Sequence, residues 1–212
     1  MAKRVKAART YHSPLRADQA RATRHRVLDT AFRLFEERGY SGTPITAVAD
    51  LAGVSPGTIY SSFGGKRGLL QAVIGSAIAG GDEAVSEDTW RTEVAELPDP
   101  RDRLRAMVVH SCEILARTRP MHTVIRGAAD KEPFAVALGR RLLHERLAVQ
   151  TERVRDCLGD RLRSGLSVDE AGQRYCALAS PELYNVVTAE FGWTAEQHRL
   201  WLTDLLEREL LG

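Results

Sequence analysis

Cysteine is scarce in this sequence and badly placed for building structure. The three thiols, Cys112, Cys157 and Cys176, are an odd number at wide, irregular spacings, which excludes a paired disulfide framework and the spacing of a zinc ribbon. They read as buried or inert thiols. Long apolar runs are missing too: the longest, Leu69 to Ala79, is interrupted by Gln71 and falls well below the ~20 residues that cross a bilayer. The N-terminus is basic but lacks the apolar region of a secretory signal, so a cytoplasmic protein with no membrane partner is expected. No segment alternates apolar and polar residues as a half-buried strand would. Catalytic signatures are absent as well, with no GxSxG, HExxH, CxxC or Rossmann glycine triplet. "GTIYSSFGGKRG" has the glycines of a phosphate loop at the wrong spacing, and Arg67 stands where a magnesium-binding hydroxyl is required. His110 and His122 fall near Cys112 and Glu113, without the i, i+4 ligand pair of a helical metal site, and read as hydrogen-bonded histidines. No catalytic residue, metal or cofactor is expected.

What is present is the composition of one globular chain, 43% hydrophobic and 27% charged over 212 residues. The net charge of +2 conceals an uneven distribution. Residues 1–67 carry 12 Lys and Arg against 5 Asp and Glu, leaving 18 against 23 for the remainder. A positive third attached to a negative body suits contact with a polyanion.

Apolar spacing predicts helices throughout, and hence an all-α fold. Residues 1–16 hold five basic side chains and no periodicity, and read as a flexible basic arm. From Asp18, the stripe Val27, Leu28, Ala31, Leu34 and Phe35 marks an amphipathic helix that Gly39 stops. Thr43-Pro44 and Ser55-Pro56 are two helix starts separated by Gly53, each opening about two turns. A fourth helix runs from Lys66 to the Gly80-Gly81 break. Further helices are expected from Pro100 to about Arg119, Met121 to about Ala129, and Pro133 to Leu158. Ser167 to Glu170 and Thr194 to Gln197 are capping boxes, with a break at Ser180-Pro181 between the helices they open.

Two short helices on a tight glycine turn form a helix-turn-helix, whose second helix enters the major groove. On that helix Ile59 and Phe63 face inward, leaving Pro56, Gly57, Thr58, Tyr60, Ser61 and Ser62 outward behind the cap Ser55. A tyrosine among hydroxyl residues is poor surface design for a helix, but a good set of hydrogen-bonding contacts to phosphates and base edges. Gly57 costs about 1 kcal/mol inside a helix, and its missing side chain would let the backbone approach DNA. Lys66, at the next helix start, pairs an ammonium with free backbone N–H groups as a phosphate clamp.

"GVSPGTIYSSFGGK", Gly53 to Lys66, carries every fixed position of the signature G-V-S-x-G-T-[LI]-Y-x-x-F-x-x-K. In this it resembles the TetR family of bacterial transcriptional regulators, the likeness running from Thr23 to Val73. The resemblance implies a three-helix DNA-binding domain over residues 17–65 and a helical effector-binding and dimerisation domain over 66–212. It also implies base contacts at Thr46, Pro56, Gly57 and Tyr60, with phosphate contacts at Thr43, Thr58, Ser62 and Lys66. Thr46 stands where many relatives carry arginine.

The middle helices supply Trp90, Met107, His110, Met121, His122, Ile125 and Arg126, the soft apolar mix with few polar groups that suits a small-molecule pocket or an ordinary core. The terminal amphipathic pair presents Leu183, Val186, Val187, Trp201, Leu205 and Leu206, a four-helix interface between two copies or an internal core. The expected protein is a homodimeric repressor that binds a duplex operator and is released by a small-molecule effector. An all-α enzyme or carrier with a vestigial helix-turn-helix is the alternative.

Overall fold

The computed structural model describes residues 14–80 and 86–211. All regular structure among them is helical. Helix α1 (Pro14–Arg38) starts within the expected basic arm, whose residues 1–13 lie outside the described residues. Its predicted stripe is buried, with Val27, Ala31 and Phe35 at the centre. Helices α2 (Ile45–Ala52) and α3 (Pro56–Phe63) meet at Gly53, whose φ of 66° is the left-handed conformation that closes α2. The Gly53 and Val54 N–H groups return to the Asp50 and Ala49 carbonyls, so the turn leaves few helix-end acceptors bare. Helix α4 (Lys66–Ala79) then packs Leu69, Leu70 and Val73 onto α1.

The sequence reading passed over helix α5 (Glu87–Ala95), whose only strong signal is its cap: Ser86 Oγ accepts from the Thr89 N–H at 3.2 Å. A second difference lies in α6 (Pro100–Ala129), a single helix where Pro120 was expected to divide two. Proline removes the N–H that would bond the Ala116 carbonyl. Ala116 is exposed, so water can take that bond, and burial on both sides of Pro120 holds the axis together.

Helix α7 (Pro133–Leu158) lies along α6 and α8 (Val168–Leu178). Gly172 of α8 permits the close approach, since a Cβ there would stand 2.4 Å from Thr151 Oγ1 and 2.8 Å from Thr151 Cα. After the Ser180 break, α9 (Pro181–Asn185) runs into a widened π turn at Val186–Glu190, and α10 (Ala195–Leu210) closes the chain behind its capping box.

Two cores result. The first joins α1–α4 to Met121, Val124, Ile125 and Ala128 of α6 and to Ala135 and Leu138 of α7. The second gathers Leu104, Met107 and Val108 of α6 with Tyr175 of α8 and Leu202, Leu206 and Leu210 of α10. All three cysteines are free and buried.

Candidate nucleic-acid interface and inner cavity

The α3 surface follows from its cap. Ser55 Oγ accepts from the Thr58 N–H at 3.1 Å and lies 2.9 Å from the Thr58 hydroxyl, fixing the first turn. Ile59 is fully buried, which turns Pro56, Gly57, Ser61 and Ser62 outward and leaves Tyr60 58% exposed. Thr46 of α2 is exposed as well. A Cβ on Gly57 would meet nothing closer than Ser55 Oγ at 3.6 Å, so the fold itself does not require glycine there.

Thr43 departs from expectation. It neither caps α2 nor offers its hydroxyl to phosphate: it is 1% exposed and donates to the Leu34 and Gly39 carbonyls at 2.9 and 2.8 Å. Pro44 occupies the cap position, and the Thr43 hydroxyl instead ties the α1 exit to the start of α2. Lys66 is half-buried, its ammonium over the Tyr40 ring. Phe63 is only partly inward, with the Arg24 guanidinium 4.7 Å above its ring. Arg21 and Arg24 share a cleft with Thr58 and Ser62. Sequence reasoning missed these two cations because it gave α1 only a core role. They stand at i, i+3 on α1, and Arg24 precedes Val27 and Leu28 by three and four positions, so a basic extension of the apolar stripe was the available signal.

A cavity of about 510 Å³ opens between α4, α6 and α7, within the ~300–1,000 Å³ of small-molecule pockets. Of the expected pocket residues, His110 and His122 line it. Trp90 stands behind, stacked on His110 at 4.2 Å. The other expected residues do not line it. Met107 belongs to the second core, Met121 and Ile125 to the first, and Arg126 is exposed away from the cavity. All four lie on α6, and only one face of that helix turns to the cavity.

The polar wall comes from residues the sequence reading missed. Arg153, 3% exposed, donates from Nε and Nη2 to the two Glu87 carboxylate oxygens, each at 2.6 Å, and Nε2 of His110 lies 3.4 Å from the same carboxylate. Burial would raise the Glu87 carboxyl, but hydrogen bonds from Arg153 and His110, with their charges, hold it at about 2. Burial pushes His122 down to about 4, with Glu182 opposing and Arg146 adding to the shift, so it is neutral near pH 7. Gln150 and Arg146 complete this wall. Gln150 stands at i, i+4, i+7 and i+8 with the buried Val154, Cys157 and Leu158, and a polar residue on an apolar stripe was the sign of it.

The terminal helices also differ from expectation. Leu206 is fully buried and Val187 is 4% exposed, both inside this chain, so neither can face a second copy. Leu183, Trp201 and Leu205 are half-buried, and Val186 is exposed.

The profile of the bacterial regulatory proteins of the tetR family matches residues 27–73. Over those residues the chain is similar to the tetR family of bacterial regulatory proteins. It is 37% identical over 89 residues to the HTH-type transcriptional regulator BetI of Burkholderia cenocepacia, a match covering 40% of this chain and 42% of that relative. The match thus spans less than half of that relative's length. Across the whole fold it is similar to a TetR-family transcriptional regulator from Rhodococcus sp., with a TM-score of 0.68, 20% identity, and coverage of 89% of this chain and 98% of the other. NalD of Pseudomonas aeruginosa, the secondary repressor of a multidrug efflux pump, gives a TM-score of 0.66 at 17% identity, covering 91% and 98%. These two likenesses concern the fold. Among the described residues no helix is long and apolar enough to cross a membrane.

Proposed function

We propose that this protein is a cytoplasmic TetR-type repressor that binds a palindromic operator as a homodimer and lets go when a small-molecule effector enters the α4–α6–α7 cavity. The observation that carries the reading is the α3 surface. Pro56, Gly57, Tyr60, Ser61 and Ser62 are exposed together on a two-turn helix, and Gly57 has no packing duty there. Such a helix reads base edges with its first turn while the flanking groups hold phosphate.

In this reading residues 17–65 are the DNA-reading head and residues 66–212 the effector-binding and dimerisation body. Thr46, Pro56, Gly57 and Tyr60 face bases; Ser55, Thr58, Ser62 and Lys66 face the phosphate backbone. Leu183, Val186, Trp201 and Leu205 supply the contact between copies. A single head with so few long side chains discriminates only a few base pairs, each contributing about 1–3 kcal/mol. Two heads are required for a selective repressor.

The test is selection of bound duplexes from a random pool, followed by footprinting. An inverted repeat with half-sites about 34 Å apart, or a near multiple, is the expected result. Recovery of random sequence, or of a single unrepeated half-site, overturns the paired-head reading.

A further inference from the structure

Resting on the reading of the cavity as an effector site, two unpartnered polar atoms in its wall specify the head group it accepts. Gln150 is 5% exposed; its Nε2 donates to Ser111 Oγ at 3.4 Å, and Ser111 Oγ lies 3.1 Å from the buried Tyr175 hydroxyl. The other end of the amide, Oε1, has no hydrogen-bond partner among the described residues. One turn earlier on α7, the Nε–H of Arg146 is likewise buried and unpartnered, although Nη2 of the same guanidinium lies 3.8 Å from Glu182. Buried donors and acceptors left unpaired forfeit the bonds they make with water in the unfolded chain, so such atoms call for a partner.

Residues four apart on a helix share one face. A ligand oxygen that meets both donates to Gln150 and accepts from Arg146. A hydroxyl does both. An ether oxygen only accepts, an ammonium only donates, and a carboxylate would set its lone pairs against those of Gln150 Oε1.

The charges around the cavity also disfavour a cationic guest. Glu87 is paired with Arg153 and lies against His110, and Glu145 has Arg141 at 3.4 Å, so both lining carboxylates already have partners. The Trp90 ring behind His110 is already covered by His110 at 4.2 Å and the Arg153 guanidinium at 5.0 Å. Much of the remaining lining is aliphatic, with Ile74 and Ile78 of α4, Leu115 of α6 and Leu142 and Val149 of α7, and Ser86, Thr118 and His122 are its other polar members.

We propose that the cavity takes an uncharged amphipathic molecule, a phenol or alcohol on a compact apolar body, whose hydroxyl donates to Gln150 Oε1 and accepts from Arg146 Nε–H. Isothermal titration of the full chain with 4-pentylphenol, 4-pentylanisole and 4-pentylbenzoate tests it, because the three share one apolar body. The phenol binds, and the ether and the carboxylate bind about tenfold more weakly, the loss expected of one buried hydrogen bond. In Gln150→Met, checked for fold by circular dichroism, phenol and ether bind alike; the wild-type series decides even if that variant does not fold. Equal binding of the ether to the wild type overturns the proposal and means that the amide presents its N–H to the cavity. Tightest binding by the benzoate overturns it in favour of a carboxylate site at Arg146. Binding of none of the three overturns the effector reading of the cavity and the proposal with it.

Discussion

The Lys66 ammonium lies 4.4 Å from the centroid of the Tyr40 ring and 3.5 Å from the Ser41 carbonyl oxygen. The cation expected to grip DNA is thus held by the loop that follows α1. Burial lowers its pKa, with the Glu132 charge opposing. A cation placed this way is oriented before DNA arrives, which cuts the entropy lost on contact.

Lys66→Ala is expected to weaken binding to all duplexes alike and to make the slope of log affinity against log salt shallower by about one, the signature of one lost phosphate contact. Tyr60→Ala is expected to cost about 1–3 kcal/mol at the selected operator and little on random DNA. Titrations at several salt concentrations measure both; unchanged affinity in the two variants removes α3 from the interface.

The Glu87–Arg153 pair predicts an order of damage. Arg153 is almost wholly buried, whereas the Glu87 side chain keeps 36% of its exposure and has His110 as a second partner. Glu87→Ala, which strands a buried guanidinium, should therefore lower the melting temperature more than Arg153→Met. The reverse order would mean that the pair is not the main support of Arg153.

Acid should destabilise the fold in two stages. His122 has a folded pKa of about 4 against an ordinary 6.5, so the stability it confers is complete above pH 6.5 and is lost as pH falls to about 4. Glu87, at about 2 against 4.5, contributes fully above pH 4.5, and that contribution is lost as pH falls to about 2. Melting curves from pH 8 to 3 should show the first decline, and His122→Gln should flatten it between pH 6.5 and 4.

Adjacent leucines on α10 separate assembly from folding. Leu205→Glu is expected to shift the protein towards monomer in sedimentation and abolish tight operator binding while the melting temperature changes little. Leu206→Ala should instead cost about 2–5 kcal/mol of stability, as core leucines do. A dimer that survives the glutamate places the interface elsewhere.

Gly172→Ala tests the α7–α8 seam. The new methyl would overlap the Thr151 Cα, a backbone atom that cannot swing aside, so a loss of about 1–3 kcal/mol is expected in denaturant unfolding. An unaffected midpoint would mean that the two helices separate freely.

The helix-turn-helix was legible because its signals are local: a hydroxyl cap, a proline, a glycine at positive φ and two inward residues lie within a few positions of one another. The cavity was harder to read because it depends on which face of α6 each residue occupies. Met121 and His122 are neighbours in sequence, yet one fills the first core and the other lines the cavity. Thr43 looked like a cap because Pro44 follows it, and only the α1 exit shows where its hydroxyl goes. Val187 and Leu206 are apolar on amphipathic segments, a pattern that serves a core inside one chain and a seam between two equally well.

Pro120 has a mechanical consequence. From Leu104 to Cys112 helix α6 belongs to the second core, and from Met121 to Ala128 it belongs to the first. Between them Leu115 and Thr118 face the cavity, and there the ladder of α6 lacks the rung that Ala116 would have shared with residue 120. The shaft joining the two cores is therefore notched at the level of the cavity. Torque applied there would be spent in flexing one weakened turn, leaving both packed ends to travel as rigid pieces.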